Sequence, residues 1–168
     1  LIRIDVASPL DAPALKALLE TAYRGDSARQ GWNHEADILD DERIGREELE
    51  ALLSDAAVTI LTARDGDALI GCVAVTRKDA SLGYLGMLCV QPDLQSAGLG
   101  RKLLDAAEDH ASALGLSAME MTVIDSRASL IAWYERRGYA FTGERRPFPV
   151  LRDPPVNFVV LEKPLRAA

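Results

Sequence analysis

"LCVQPDLQSAGLGRKLLDAAEDHASALGLSAMEMTVI", residues 88–124, decides the fold. Within it Leu99, Leu103, Leu104, Ala107, Ala111 and Leu114 recur three and four residues apart, while Arg101, Lys102, Asp105 and Glu108 fall on the opposite side. That spacing predicts an amphipathic helix, and Gly115 is placed to end it. "AMEMTVI" (118–124) alternates, with Met119, Met121 and Val123 against Glu120 and Thr122, and reads as a strand. A β-rich run at 82–90 precedes the helix. Two strands separated by a helix, with a dozen or more residues between them, form a right-handed parallel crossover.

Upstream, "VTILTARDGDALIGCVAVTR" holds two β-rich runs, 58–64 and 69–77, around Asp65-Gly66-Asp67, a strong hairpin signal. With 82–90 they make an antiparallel meander. "IRIDV" (2–6) is a first strand, followed by a helix that Asp11 can cap and whose Leu15, Leu18, Leu19 and Ala22 share one face. A shorter helix carries Leu49, Leu52 and Leu53 inward. Between these helices, 24–43 lacks periodicity and is long for a connection, a mark of functional or mobile segments. Downstream, a helix over about 127–137 ends in Arg136-Arg137-Gly138, matching the helix dipole and a glycine cap. Two last strands frame the loop "GERRPFPVLRDPP". The order β-α-α-β-β-β-α-β-α-β-β predicts an α/β fold with a mixed, mostly antiparallel sheet, a parallel central strand pair and helices on both faces. No repeat or second domain is visible, so residues 1–168 are expected to form one domain.

Bulk composition narrows the partners. The 168 residues carry a formal charge of −7, with 48% hydrophobic and 27% charged residues, ordinary for a soluble globular chain. The acidic balance argues against nucleic acid or an anionic membrane surface. Apolar runs all stop well short of the roughly 18 residues a membrane span needs. The opening residues show no basic n-region, so no signal peptide is expected. Cys72 and Cys89 sit in strand-like stretches, which predicts free thiols in a reducing, cytoplasmic setting. His34 and His110 are isolated from other ligand-type residues, and no metal is expected.

The helix mouth at 95–100 is the chemical feature. Unpaired N–H groups and the helix dipole favour an anion there, and Gly98 and Gly100 remove Cβ atoms that would keep a phosphate away. The pattern Gln95-x-x-Gly98-x-Gly100 is neither the three-glycine dinucleotide fingerprint nor a Walker loop. Taken alone, two glycines fit a solvated turn better than an anion site.

Two stretches in order, "LCVQPDLQSAGLGRKLL" and "LIAWYERRGYAFTGE", are similar to signatures of the GNAT acyltransferase superfamily, whose cofactor loop reads Gln/Arg-x-x-Gly-x-Gly/Ala after the fourth strand. The resemblance covers most of the chain. It implies an acetyl-CoA-dependent N-acetyltransferase with the cofactor in a cleft where 82–90 and 118–124 splay apart. By the same resemblance, backbone groups of Leu88, Cys89 and Val90 would meet the pantetheine arm, with a backbone N–H near Val90 holding the oxyanion. Gln95, Ser96, Ala97, Gly98, Leu99 and Gly100 would wrap the pyrophosphate. Arg101 and Lys102 would add charge, or form a solvated helix face. Tyr134 holds the position of the tyrosine that protonates the departing thiolate, a fitting role for a neutral phenol.

Two departures from the family pattern stand out. An asparagine is common seven residues before that tyrosine, and Arg127 replaces it, an arginine expected still to reach the cofactor, at a phosphate. The strand glutamate that often serves as base is replaced by Tyr84 or Thr122; Glu120 is the nearest substitute as base, and Tyr84 is expected at the acceptor site. For the acceptor, Trp32 and Glu35 would give an aromatic wall and a carboxylate for an amine, while Arg24 beside Tyr23 could grip a carboxylate. Each fits an anchored loop with solvated charges as well. Arg145, Arg146 and Phe148 would form the opposite wall or a structural cap. The expected acceptor is a small-molecule amine. Acetylation of a protein amine and a non-catalytic CoA-binding module are the alternatives, and assembly as a homodimer stays open.

Overall fold

In a computed structural model, residues 1–23, 45–147 and 157–166 are described, with side chains at 22–23 and 95–97 left aside. Seven strands form one sheet among the described residues, in the order β1-β2-β3-β4-β5-β7-β6. These are β1 (Ile2–Val6), β2 (Val58–Asp65), β3 (Ala68–Arg77), β4 (Leu82–Val90), β5 (Ala118–Ile124), β6 (Ala140–Pro147) and β7 (Asn157–Pro164). Helices α1 (Ala12–Tyr23) and α2 (Arg46–Ser54) precede the meander, α3 (Leu99–Ala113) links β4 to β5, and α4 (Ala128–Glu135) follows β5. Every strand pairing is antiparallel except β4 with β5. The element order and the parallel pair are those expected from the sequence.

Alternation along the strands divides the core into two. Leu61, Val73, Val75, Leu85, Met119, Met121, Val123, Val159 and Leu161 face α3 and α4, meeting Leu103, Leu104, Ala107 and Ala111 of α3. Ile60, Leu69, Cys72, Ala74 and Cys89 face the other way, onto Leu15, Leu18 and Leu19 of α1 and Leu49 of α2. Each fully buried leucine contributes about 1.5–3 kcal/mol, so the period-2 and period-3.6 patterns together hold the helices on opposite faces. Close approach of α3 depends on Gly71, where a Cβ would lie 2.8 Å from Leu103 Cδ1 and 3.1 Å from the Cys89 carbonyl.

The centre of the sheet is irregular in the way that makes a site. Between Cys72↔Cys89 and Ala74↔Gly86, one residue of β3 (Val73) stands against two of β4 (Met87 and Leu88), so β4 carries a bulge. Met87 takes up the extra residue at φ +56°, a left-handed conformation that costs a non-glycine residue about 1–3 kcal/mol. Its carbonyl accepts a hydrogen bond from Cys72 Sγ at 3.3 Å. On the other side, the parallel ladder to β5 covers only Leu82↔Ala118, Gly83↔Met119 and Tyr84↔Glu120. Beyond Tyr84 the two strands part.

Three local expectations change. Asp11 does not cap α1. It closes a 3₁₀ turn (Pro9–Asp11), where its carboxylate accepts from the Ser8 N–H at 2.8 Å and pairs with Arg64 at 2.6 Å. Residues 143–147, expected in a loop, belong to β6. Three residues of β6 stand against one of β7 between Phe141↔Leu161 and Arg145↔Val159, and the strand then resumes to Pro147. Helix α4 stops at Glu135, with Arg136 as its C-cap.

Candidate active site

Where β4 and β5 part, a cavity of about 240 Å³ opens between them. Its walls are 84–88 of β4, 121–124 of β5, Arg127, Leu130 and Tyr134 at α4, and Phe158 of β7. A parallel pair that splays at its carboxyl end leaves a crevice there, the usual place for a ligand in such sheets. Tyr84 and Thr122 tie the mouth together, hydroxyl to hydroxyl, at 2.7 Å across the two strands. Tyr134 is 5% exposed and held between two rings, edge-on to Trp133 (centroids 5.0 Å apart) and to Tyr139 (5.8 Å). The T-shaped contacts fix its ring while it lines the cavity. Arg127 reaches the same cavity from the N-cap of α4.

From the cavity, β4 leads through Leu88, Cys89 and Val90, all buried, into a 3₁₀ turn (Pro92–Ala97) and then α3. Leu88 lines the cavity, whereas Cys89 and Val90 lie past its lining, one on each face of the sheet. Gly98 sits at φ +81°, ψ 6°, and a Cβ there would meet nothing within 4 Å. This residue therefore serves α3 by its left-handed backbone, with open space in front of it. The helix start carries no side-chain cap, and helical bonding begins with the Lys102 N–H donating to the Gly98 carbonyl at 3.2 Å. Its first turn has no acidic residue and instead holds Arg101 and Lys102, both exposed. Helix starts gain from negative charge, so this charge pattern is inverted and suits an anion from outside. Leu99 gives the loop only its backbone, because its side chain is buried against α3's core partners.

Glu120 has a different setting. It is 6% exposed, and its carboxylate accepts from Lys78 Nζ at 2.8 Å and from Arg146 at 3.0 and 3.3 Å. Burial pushes its pKa upward, but hydrogen bonds and charge from Lys78 and Arg146 outweigh that and hold it below the ordinary glutamate range. Arg146 is raised in turn, by its bonds to Glu144 and then Glu120. A useful general base has a pKa near the working pH. Glu120 is displaced away from it, does not line the cavity, and has both oxygens engaged, so this geometry fits a structural anchor better than the proton acceptor expected from the sequence. Arg146, expected in a proline-rich wall, reaches Glu120 from β6, and Arg145 pairs with Asp125 at 3.7 Å.

The described residues thus bring Tyr84, Leu88, Arg127 and Tyr134 to one cavity and set Gly98, Leu99, Gly100 and Arg101 at the helix mouth beyond it. The side chains of Gln95, Ser96 and Ala97 and all of Arg24, Trp32, Glu35, His34 and Phe148 lie outside the described residues. His110 bonds Thr59 at 3.1 Å, away from the cleft. Sequence reasoning missed the bulge at Met87, the cavity walls Ile124, Leu130 and Phe158, and Lys78 as a partner of Glu120. No local pattern in "LGMLC" distinguishes a bulged strand from a regular one. Among the described residues no three His, Cys, Asp or Glu side chains gather as a metal site, and no helix is long and apolar enough to cross a membrane.

Residues 26–153 match the family model described as an acetyltransferase (GNAT) domain. An IAA acetyltransferase of Azospirillum brasilense is 29% identical over 98% of both chains. An amino-acid acetyltransferase of Pseudomonas putida is 32% identical over 73% of this chain, but that span is only 28% of the relative's own length. Among solved structures, the PaiA N-acetyltransferase of Thermoplasma acidophilum in complex with coenzyme A superimposes with a TM-score of 0.75 at 19% identity, covering 98% of this chain and 99% of that one.

Proposed function

This chain belongs to the GNAT acetyltransferase family, and from that premise we propose that it transfers the acetyl group of acetyl-CoA to the primary amine of a small, amino-acid-like acceptor. The transfer is direct, within a ternary complex. The observation that carries the reading is the continuity between the β4–β5 cleft and the uncapped, cation-bearing start of α3. Such a path accommodates a long ligand with an apolar arm at one end and a pyrophosphate at the other. A coenzyme A complex in a protein of the same fold and amino-acid acetylation in a partial relative support the choice of ligands.

Acetyl-CoA supplies an activated acetyl thioester. Backbone N–H groups of 98–101 and the charge of Arg101 hold the pyrophosphate. The parted edge of β4 from Met87 to Val90 aligns the pantetheine arm, and a backbone N–H near Val90 takes the charge that develops on the carbonyl oxygen. Tyr134, a residue of the cavity wall, gives its hydroxyl proton to the sulfur as the C–S bond breaks. The amine loses its proton to water in the cleft. Glu120 contributes by fixing Lys78 and Arg146 behind Tyr84 and Thr122, which line the acceptor side.

A thiol-release assay with amino acids, other small amines and short peptides as acceptors tests this reading. The expected result is turnover on at least one small amine, with Tyr134→Phe lowering kcat by about tenfold or more and leaving acetyl-CoA affinity nearly unchanged. Tight acetyl-CoA binding without turnover on any acceptor would overturn it in favour of a binding module. An unchanged rate in Tyr134→Phe would remove the tyrosine as acid.

A further inference from the structure

We propose that Arg137, backed by Trp133 and flanked by Arg101 and Arg136, binds the 3′-phosphate on the ribose of coenzyme A and so selects CoA over its 3′-dephospho form. The proposal rests on the acetyl-CoA reading above and adds a second, separate anion position to it.

Gly100, in the first turn of α3, faces the Trp133 ring, with its Cβ direction 3.9 Å from Trp133 Cζ2. The Arg137 guanidinium lies 3.9 Å over the same ring, and its Nη1 donates to the Trp133 carbonyl at 2.8 Å. The indole therefore connects the helix mouth on one side to a fixed guanidinium on the other. Because one face of Trp133 is covered by Arg137 and Tyr134 meets the ring edge-on, the indole acts as a backing plate.

The charge around Arg137 is not balanced. Its Nε is buried and makes no hydrogen bond to the described residues, and no carboxylate forms an ion pair with it, with Arg101 or with Arg136 among them. Burial lowers the Arg137 pKa most, the charges of Arg101 and Arg136 lower it further, and Asp105 partly offsets them. Three cations gathered in a chain of net charge −7 carry an energetic penalty unless an anion joins them. A guanidinium held flat with donors to spare is the group that grips a phosphate in a fixed orientation. Since the N–H groups of α3 are already assigned to the pyrophosphate, the remaining anion of coenzyme A is the phosphomonoester of its ribose.

The test compares CoA and 3′-dephospho-CoA by isothermal titration on the full chain. The wild-type protein is expected to bind CoA roughly ten- to a hundredfold more tightly. Arg137→Gln should lower CoA affinity to that of 3′-dephospho-CoA and leave the latter unmoved, and Arg137→Lys should restore part of the difference. Arg136→Gln, on an exposed residue that leaves the fold intact, should reduce the preference by a smaller factor. Equal wild-type affinity for the two ligands would overturn the proposal, as would an Arg137→Gln variant that weakens both equally. If neither ligand binds at all, the acetyl-CoA reading falls and takes this inference with it.

Discussion

Two charged regions flank the cleft, and they are neutralised in opposite ways. At Glu120 the protein supplies both signs: one buried carboxylate meets Lys78 and Arg146, and Arg146 also bonds Glu144 at 2.7 Å. At the start of α3 it supplies one sign only, with uncapped N–H groups, Arg101 and Lys102, and no acid in the first turn. A closed set of charges fixes structure, because opening it exposes a buried group that has lost its partner. An open set awaits a ligand, because only an outside anion completes it. The contrast fits Glu120 to an anchoring role and supports the proposal that the basic start of α3, in an acidic chain, receives the anionic end of the cofactor.

The largest effect is expected from filling the open region with the wrong charge. Gly98→Glu puts a carboxylate at the proposed pyrophosphate position and forces a side chain into a left-handed backbone at φ +81°. Acetyl-CoA affinity should fall by more than about a hundredfold, since like charges in contact oppose binding by several kcal/mol. Gly98→Ala carries the same backbone strain, of about 1 kcal/mol, without the charge, and should keep most of the affinity. If Gly98→Glu bound acetyl-CoA like the wild type, the helix mouth would lose its assignment.

A smaller effect, on stability instead of binding, is expected from opening the closed region. Glu120→Gln keeps the shape but leaves Lys78 and Arg146 without their shared carboxylate, which should cost about 1–3 kcal/mol at neutral pH. The sign of the pH dependence follows from the depressed Glu120 pKa. The folded protein holds Glu120 ionised where the unfolded chain already takes up a proton. Its contribution is therefore complete above the ordinary glutamate value of about 4.3, and is lost as pH falls through the lower folded value. Urea midpoints at pH 7 and near pH 3 should show the gap between wild type and Glu120→Gln closing at the lower pH. A gap of the same size at both would mean that Glu120 is not held by its charge.

Much of this contrast was legible in the sequence, but unevenly. The period of Leu99 to Ala111 and the alternation of 118–124 placed α3 and β5 because local patterning and tertiary packing agree there. Gly98 and Gly100 were legible as a pair, yet only their backbone angles and neighbours separate them. Glu120 was visible as the carboxylate nearest the cleft, but its partners come from 42 and 26 residues away, in a turn region and an edge strand. Pairings at that separation leave no periodic trace. The same holds for the Met87 bulge, which depends on how β3 and β4 are registered, and for Arg137, whose basic neighbours read as an ordinary helix end.

The smallest effect distinguishes the two glycines within the open region. At Gly100 a Cβ would lie 3.9 Å from Trp133 and 4.0 Å from Val90, ordinary contact distances, and the backbone is not left-handed. Alanine also removes the flexibility that glycine brings to a helix, which favours the folded state by up to about 1 kcal/mol. Gly100→Ala should therefore raise the melting temperature slightly and change acetyl-CoA affinity by less than about threefold. Gly98→Ala should lower the melting temperature, since its methyl group meets open space but its backbone is strained. Opposite signs for the two alanines would show that one glycine is there for conformation and the other tolerates a side chain. If Gly100→Ala lost acetyl-CoA binding, the ligand would have to approach α3 more closely at Gly100 than Trp133 and Val90 do, and the pyrophosphate would be centred on Gly100 instead of Gly98.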